Sequence, residues 1–89
     1  MRAIVTVVGK DRVGIIANIC TSLAEYNINI LDISQTVMSE FFTMSMLVDA
    51  SKANEAFDVI CENFSEKGKE MGMSIRVQRE DIFNAMHSI

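Results

Sequence analysis

The chain has no proline and only four glycines. A Pro-rich linker is thereby excluded, and little is left from which to build long irregular loops. No apolar run approaches the roughly 18 residues that a bilayer span requires, so no membrane segment is expected. Cations are scarce: eight Lys and Arg stand against twelve Asp and Glu, for a net charge of −4. A nucleic-acid binder needs a basic face to neutralise phosphates, and these few cations are scattered, so no nucleic-acid partner is expected. The two cysteines, Cys20 and Cys61, lie far apart, and no basic n-region with an apolar h-region opens the sequence. A reduced, cytoplasmic protein without a signal peptide is the expectation.

What is present is apolar material in a short chain. With 89 residues, 49% of them hydrophobic, the sequence has enough for one domain with a true core, and disorder is not expected.

Residues 2 to 9 alternate, with Ala3, Val5 and Val7 on one face and Ile4, Thr6 and Val8 on the other. Both faces are nearly apolar, which predicts a strand covered on both sides, or covered on one side and hidden by a partner on the other. A helix is predicted from Val13 to Tyr26, with Ile15, Ile16, Ile19, Cys20 and Leu23 on one stripe. Asp11 is placed to cap its first turn, and Asn27 tolerates the left-handed conformation that ends it. Ile28 to Met38 reads as a long strand, Ser39-Glu40 as a tight connection, and Phe41 to Asp49 as a third strand. On that third strand Phe42, Met44, Met46 and Val48 share one face. Ser51 is a good N-cap for a second helix with the stripe Ala53, Ala56, Phe57, Ile60, Phe64 and Met71, ended by Gly72. A fourth strand follows, with Met73, Ile75 and Val77 inward. Residues 81 to 89 form a short amphipathic tail helix with Ile82, Phe83, Met86 and Ile89 on one side.

The order β-α-β-β-α-β plus a tail specifies an α+β, ferredoxin-like βαββαβ sandwich: a four-stranded antiparallel sheet, two helices on one face and a short C-terminal helix. The domain is expected over residues 1–80, with residues 81–89 as the tail. The other sheet face is left open, and its apolar first strand suggests cover by a second copy of the chain.

The junction Gly9-Lys10-Asp11-Arg12-Val13-Gly14-Ile15 carries the functional expectation. A strand-to-helix corner presents unpaired N–H groups and the positive end of a helix dipole, which suit a carboxylate. Gly9 and Gly14 let the backbone turn tightly and approach a neighbour, and Gly14 is expected to serve close backbone packing.

The run Asp11-Arg12-Val13-Gly14-Ile15-Ile16-Ala17, followed by Leu23-Ala24-Glu25-Tyr26-Asn27-Ile28-Asn29-Ile30, resembles the ACT domain, a regulatory amino-acid-binding module. The resemblance covers about residues 2 to 80. The ending Ile82-Phe83-Asn84-Ala85-Met86-His87 is similar to that of stand-alone bacterial and archaeal members without assigned function. The resemblance implies a homodimer that binds an amino acid or related metabolite at the subunit interface. The ligand would lie between the first loop of one subunit (Lys10, Asp11, Arg12, Val13, Gly14) and the start of the second strand of the other (Asn29, Ile30). Backbone groups of Gly14 and Ile15 would take the carboxylate, and Asp11 and the Asn29 amide an ammonium or polar side chain. Serine-sensing members have a histidine at the position of Gly9, an asparagine at Asp11 and a proline at Val13; this chain has none of the three. The alternative function is a ligand-free protein-interaction module acting in trans on an enzyme or regulator.

Each candidate also has a plain structural role. Asp11 can act as an N-cap alone, worth ~1 kcal/mol, and Arg12 as a solvated side chain. Asn29 stands on a largely apolar strand, where a buried amide needs partners. Cys20 and Cys61 lie beside helix stripes and read as core. Met44 and Met46 alternate as core residues, and no metal site is expected, since such a site needs several ligands in suitable geometry. Copper-carrying domains of this fold present a cysteine pair in the first loop, which Lys10 to Gly14 lacks. His87, the only histidine, has no evident nucleophile partner. The chain is therefore read as non-enzymatic and free of cofactors.

Overall fold

The structure is a computed structural model that describes residues 1–10 and 13–87. Its elements run β1 (Arg2–Gly9), α1 (Val13–Glu25), β2 (Asn29–Met38), β3 (Phe41–Asp49), α2 (Phe57–Met71), β4 (Ser74–Arg79) and α3 (Glu80–His87). The strands form one sheet in the order β2-β3-β1-β4, and every neighbouring pair is antiparallel. This is the ferredoxin-like arrangement expected from the element order.

Alternation decides the layers. Ala3, Val5 and Val7 of β1, Phe42, Met44, Met46 and Val48 of β3, and Ile75 of β4 are buried together with Ile15, Ile19 and Leu23 of α1 and Ile60 and Phe64 of α2. All of these belong to one core between the sheet and the two helices. Burying each large side chain contributes about 1.5–3 kcal/mol, so this layer dominates stability. Lys67 Nζ donates to Asn18 Oδ1 at 2.9 Å and links α2 to α1 at the surface.

The turns follow residue chemistry. Asn27 has φ 60°, as expected for an asparagine that closes a helix. Gly72 has φ 71°, and the N–H groups of Gly72 and Met73 donate to Lys69 O and Gly68 O in a Schellman closure of α2.

The start of α2 differs from expectation. Ser51 does not cap it; the helix begins at Phe57 after an extended Ala56 that makes no side-chain cap. The Ser51 N–H is instead taken by Asp49 Oδ1 at 2.9 Å. The residues that follow tie the chain to the end of α1. Asn54 Nδ2 donates to Glu25 O at 2.8 Å, Asn54 N to Tyr26 O at 3.1 Å, and Asn27 Nδ2 to Lys52 O at 2.9 Å. Satisfying the carbonyls that end α1 outweighs one more turn of α2.

α3 begins one residue earlier than expected and packs against β1 and β4. Arg2 Nη2 meets Glu80 Oε2 at 3.0 Å, and Arg79 Nη2 meets Asp81 Oδ2 at 3.2 Å. Phe83 is half-buried, but Ile82 is exposed, so the expected apolar stripe is only partly covered. Ile89 lies outside the described residues.

Candidate functional site

The corner after β1 places its residues unequally. Gly9 is buried against the start of β4: a Cβ there would stand 3.2 Å from Met73 Cβ and 3.4 Å from Ile15 Cδ1. A side chain at that approach would make Met73 give by a few tenths of an ångström. Gly14 makes no such approach, because among the described residues a Cβ on it would meet nothing within 4 Å. The expected close packing belongs to Gly9 alone. Lys10 is exposed, with its Nζ 5.4 Å from the centre of the Phe41 ring, a cation–π contact. Asp11 and Arg12 lie outside the described residues, and with them the proposed cap of α1. Val13 opens α1, and the side chain of Ile15 is buried in the core.

Asn29 and Ile30 are at the other end of the sheet. Asn29 pairs with Asp49, and Asp49 with Arg2, whereas Gly9 pairs with Phe42. The corner and Asn29 are thus separated by about seven residue steps of β3, roughly 23 Å at 3.3 Å per residue. A single chain does not bring the two halves of the expected site together. Asn29 is also exposed rather than buried, so its amide is free to meet solvent or a partner. It lines a hollow of about 390 Å³ with Asn27, Asp49 and Lys52. Ile30 is half-buried against the core.

β2 has a second uncommon property. Among the described residues it pairs only with β3, and no strand lies beside its outer edge. The register sets Ile33 opposite Met46 and Val37 opposite Phe42, on the helix side of the sheet. Met46 and Phe42 are buried, yet Ile33 and Val37 are exposed. Leu31, Met38 and the adjacent Phe41 are exposed as well. An edge with this much exposed apolar surface offers unpaired backbone groups on which another strand could add.

At the Gly9 end the structure gathers residues that the sequence analysis did not connect. A cleft of about 580 Å³ opens between Val8 and Lys10 of the corner, Phe41, and the α2–β4 turn with Lys69, Met71 and Met73. Gly72 and Ser74 complete that turn. The available signal was topological: antiparallel pairing of β4 with β1 sets Ser74 opposite Val8.

The two cysteines are half-buried and free. Burial raises the Cys61 pKa above its ordinary value, with the nearby Asp58 charge adding to it, and the thiol donates to Val77 O at 3.4 Å. It is therefore held as a thiol, not as a thiolate nucleophile. Among the described residues no group of three or more His, Cys, Asp or Glu is placed to hold a metal ion, and no helix is long and apolar enough to cross a membrane.

Comparison with known proteins agrees with this fold. A UPF0237 protein of Clostridium acetobutylicum is 55% identical over 89 residues, spanning all of both chains. The structure of an ACT domain protein from Streptococcus pneumoniae superposes with a TM-score of 0.80 at 42% identity, over 93% of each chain. A formyltetrahydrofolate deformylase from Pseudomonas syringae pv. tomato superposes with a TM-score of 0.76 at 28% identity, over 88% of this chain but only 27% of the deformylase. The family model for the ACT domain matches residues 2–78, and the chain belongs to the ACT domain family.

Proposed function

We propose that this chain is a regulatory domain that works as a homodimer and binds an amino acid or related metabolite at the subunit interface. The observation that carries the reading is the bare β2 edge together with the opposite placement of the corner and Asn29. Two copies of β2 paired about a two-fold axis run antiparallel, so the start of one lies beside the end of the other. The end of β2 is at the Gly9 end of its own sheet, since Val37 and Gly9 both pair with Phe42. Such a pairing carries the partner's Asn29 toward Lys10 and the following loop. It also covers Ile33 and Val37.

In this reading the loop receives the carboxylate and the partner's Asn29 a polar group of the same ligand. Binding would favour one arrangement of the pair over another, and a protein reading that difference would be regulated. The deformylase supports a regulatory use by analogy, since there a domain of this fold occupies about a quarter of a longer chain.

A second reading uses the same edge. Leu31, Ile33 and Val37 could receive a strand from an enzyme or regulator, with no small molecule involved.

Sedimentation beside a thermal-shift screen of the twenty amino acids tests both. A dimer whose melting temperature rises with one amino acid, by the ~2.7 kcal/mol expected at 100 times Kd, is the predicted result. That rise should vanish in Asn29→Ala and Asp11→Ala. A monomer at all concentrations, with no shift, would overturn the interface-ligand reading. A firm dimer with no shift would favour the interaction module.

A further inference from the structure

We propose that the cleft at the Gly9 end binds an organic anion with an apolar body, a branched or aromatic carboxylate, within a single chain. The proposal shares Lys10 with the interface reading and rests on the same small-molecule-binding role, but it names a ligand class and needs no contribution from the partner's Asn29.

Charge comes first. Lys10 and Lys69 line the cleft, and none of its lining residues is acidic, in a chain where acids outnumber Lys and Arg by twelve to eight. Glu66 Oε1 is 3.5 Å from Lys69 Nζ, an exposed i,i+3 pair of the weak kind, so the ammonium stays available to a ligand. The Lys10 ammonium is already positioned over Phe41. Two lysines lining one hollow, with no acid among its lining residues, suit an anion.

The walls specify the rest of the ligand. Val8, Ile15, Phe41, Met71 and Met73 are apolar, and Ser74 adds one hydroxyl. Methionines adapt to the shape of what they contact. The cleft is open to solvent, and its volume near 580 Å³ has the size of a small-molecule site. The backbone behind these walls is closely packed. A Cβ on Gly68 would stand 3.0 Å from Met73 O and 3.1 Å from Ile75 N, so α2 is seated directly on the strand that follows it. The Gly72 closure then sets the α2–β4 turn against the Gly9 approach. An inorganic anion would leave the apolar walls wet, and a neutral apolar molecule would leave both ammonium groups without a partner.

The test is an amide NMR titration of the full chain with 4-methyl-2-oxopentanoate and phenylpyruvate, beside inorganic phosphate and the neutral 4-methylpentanamide. The oxo acids should bind and shift the amides of Gly9, Gly72, Met73 and Ser74, with phosphate and the amide about tenfold weaker. Lys69→Gln should weaken binding about two- to fivefold, and Lys10→Gln with Lys69→Gln about tenfold. Met71→Glu, which sets a like charge in the cleft, should abolish it. Asn29→Ala should bind as the parent does. Equal affinity for the neutral amide, unchanged binding in Lys69→Gln, or no binding of either oxo acid would overturn the cleft. Should an amino acid bind and be lost only in Asn29→Ala, the cleft falls and the interface reading stands. Should the oxo acids bind a monomeric variant through Lys69, the cleft stands as a site that needs no partner chain.

Discussion

β1 and β2 are both apolar strands, and they end in opposite situations. β1 lies between β3 and β4, and Ala3, Val5 and Val7 are sealed under the helices. β2 is longer, pairs on one side only, and is exposed along its length apart from Ile30. The contrast is sharpest across one rung: Met46 of β3 has 0% exposure, and Ile33, paired with it on the same face, has 40%. The helices cover the centre of the sheet and stop short of this edge. Hydrophobicity alone therefore does not mark the core. Apolar residues in β1 hold the chain together, and those in β2 are available to hold something else.

The most severe test sets the same charge in both strands. Val5→Asp introduces a carboxylate into a dry core with no partner and should unfold the chain, a loss of more than about 4 kcal/mol. Val37→Asp meets solvent and should leave urea stability of the monomer within about 1 kcal/mol. Sedimentation of Val37→Asp should instead show dissociation of the dimer. A Val37→Asp protein that remains dimeric would remove β2 from the interface. One that unfolds with Val5→Asp would mean that the edge is part of an obligate fold.

The difference between the two strands also marks what the sequence could reveal. Alternation names the two faces of a strand, so the inward sets of β1 and β3 were legible residue by residue. It does not name the neighbours, so β2 read as one more strand. Asn27 and Gly72 were legible as helix ends because each needs a positive φ that few residues adopt. Ser51 misled because a good N-cap is also a good turn residue, and Asp49 two residues earlier claimed its N–H. Lys10 was marked as a ligand residue, but Lys69 and Met73 were not, since only the β1–β4 pairing brings them near. Asn29 came from the family pattern, and its distance from the corner follows from the direction of α1, which returns the chain to the far end of the sheet.

A milder change sharpens the comparison at the turn that ends β2. Ser39 has φ 60°, and Glu40 is not among the residues with positive φ. This is the pattern of a II′ hairpin, which favours glycine at that first position. A positive φ costs a non-glycine residue roughly 1–2 kcal/mol, and the greater freedom of unfolded glycine returns part of that. Ser39→Gly should therefore raise stability by about 0.5 kcal/mol, read from the urea midpoint. A loss would show that the serine side chain contributes more to the β2–β3 register than its backbone strain removes.

The smallest effect concerns the end where β1 and β2 both start. Asp49 pairs with Arg2 on one side and Asn29 on the other. Its pKa is lowered from 3.8, first by the hydrogen bond from the Ser51 N–H, then by the Ser51 hydroxyl, with smaller help from the terminal ammonium and Lys52. A carboxylate with a lowered folded pKa stabilises the fold above its unfolded value, and that contribution is lost as pH falls through the folded value. The window therefore lies below pH 3.8. Protonation should loosen the Asp49–Ser51 turn, while the Gly9 end, which is held by apolar contact and backbone closure, should not respond. Hydrogen-exchange protection at Ala50 and Ser51 should fall as the pH drops below 3.8, with Met73 and Ile75 unchanged after correction for intrinsic rates. Asp49→Asn should already show the lower protection at pH 5 and little further change on acidification. Equal acid loss at both ends of the sheet would mean that other carboxylates govern the response, and that Asp49 does not set the two ends apart.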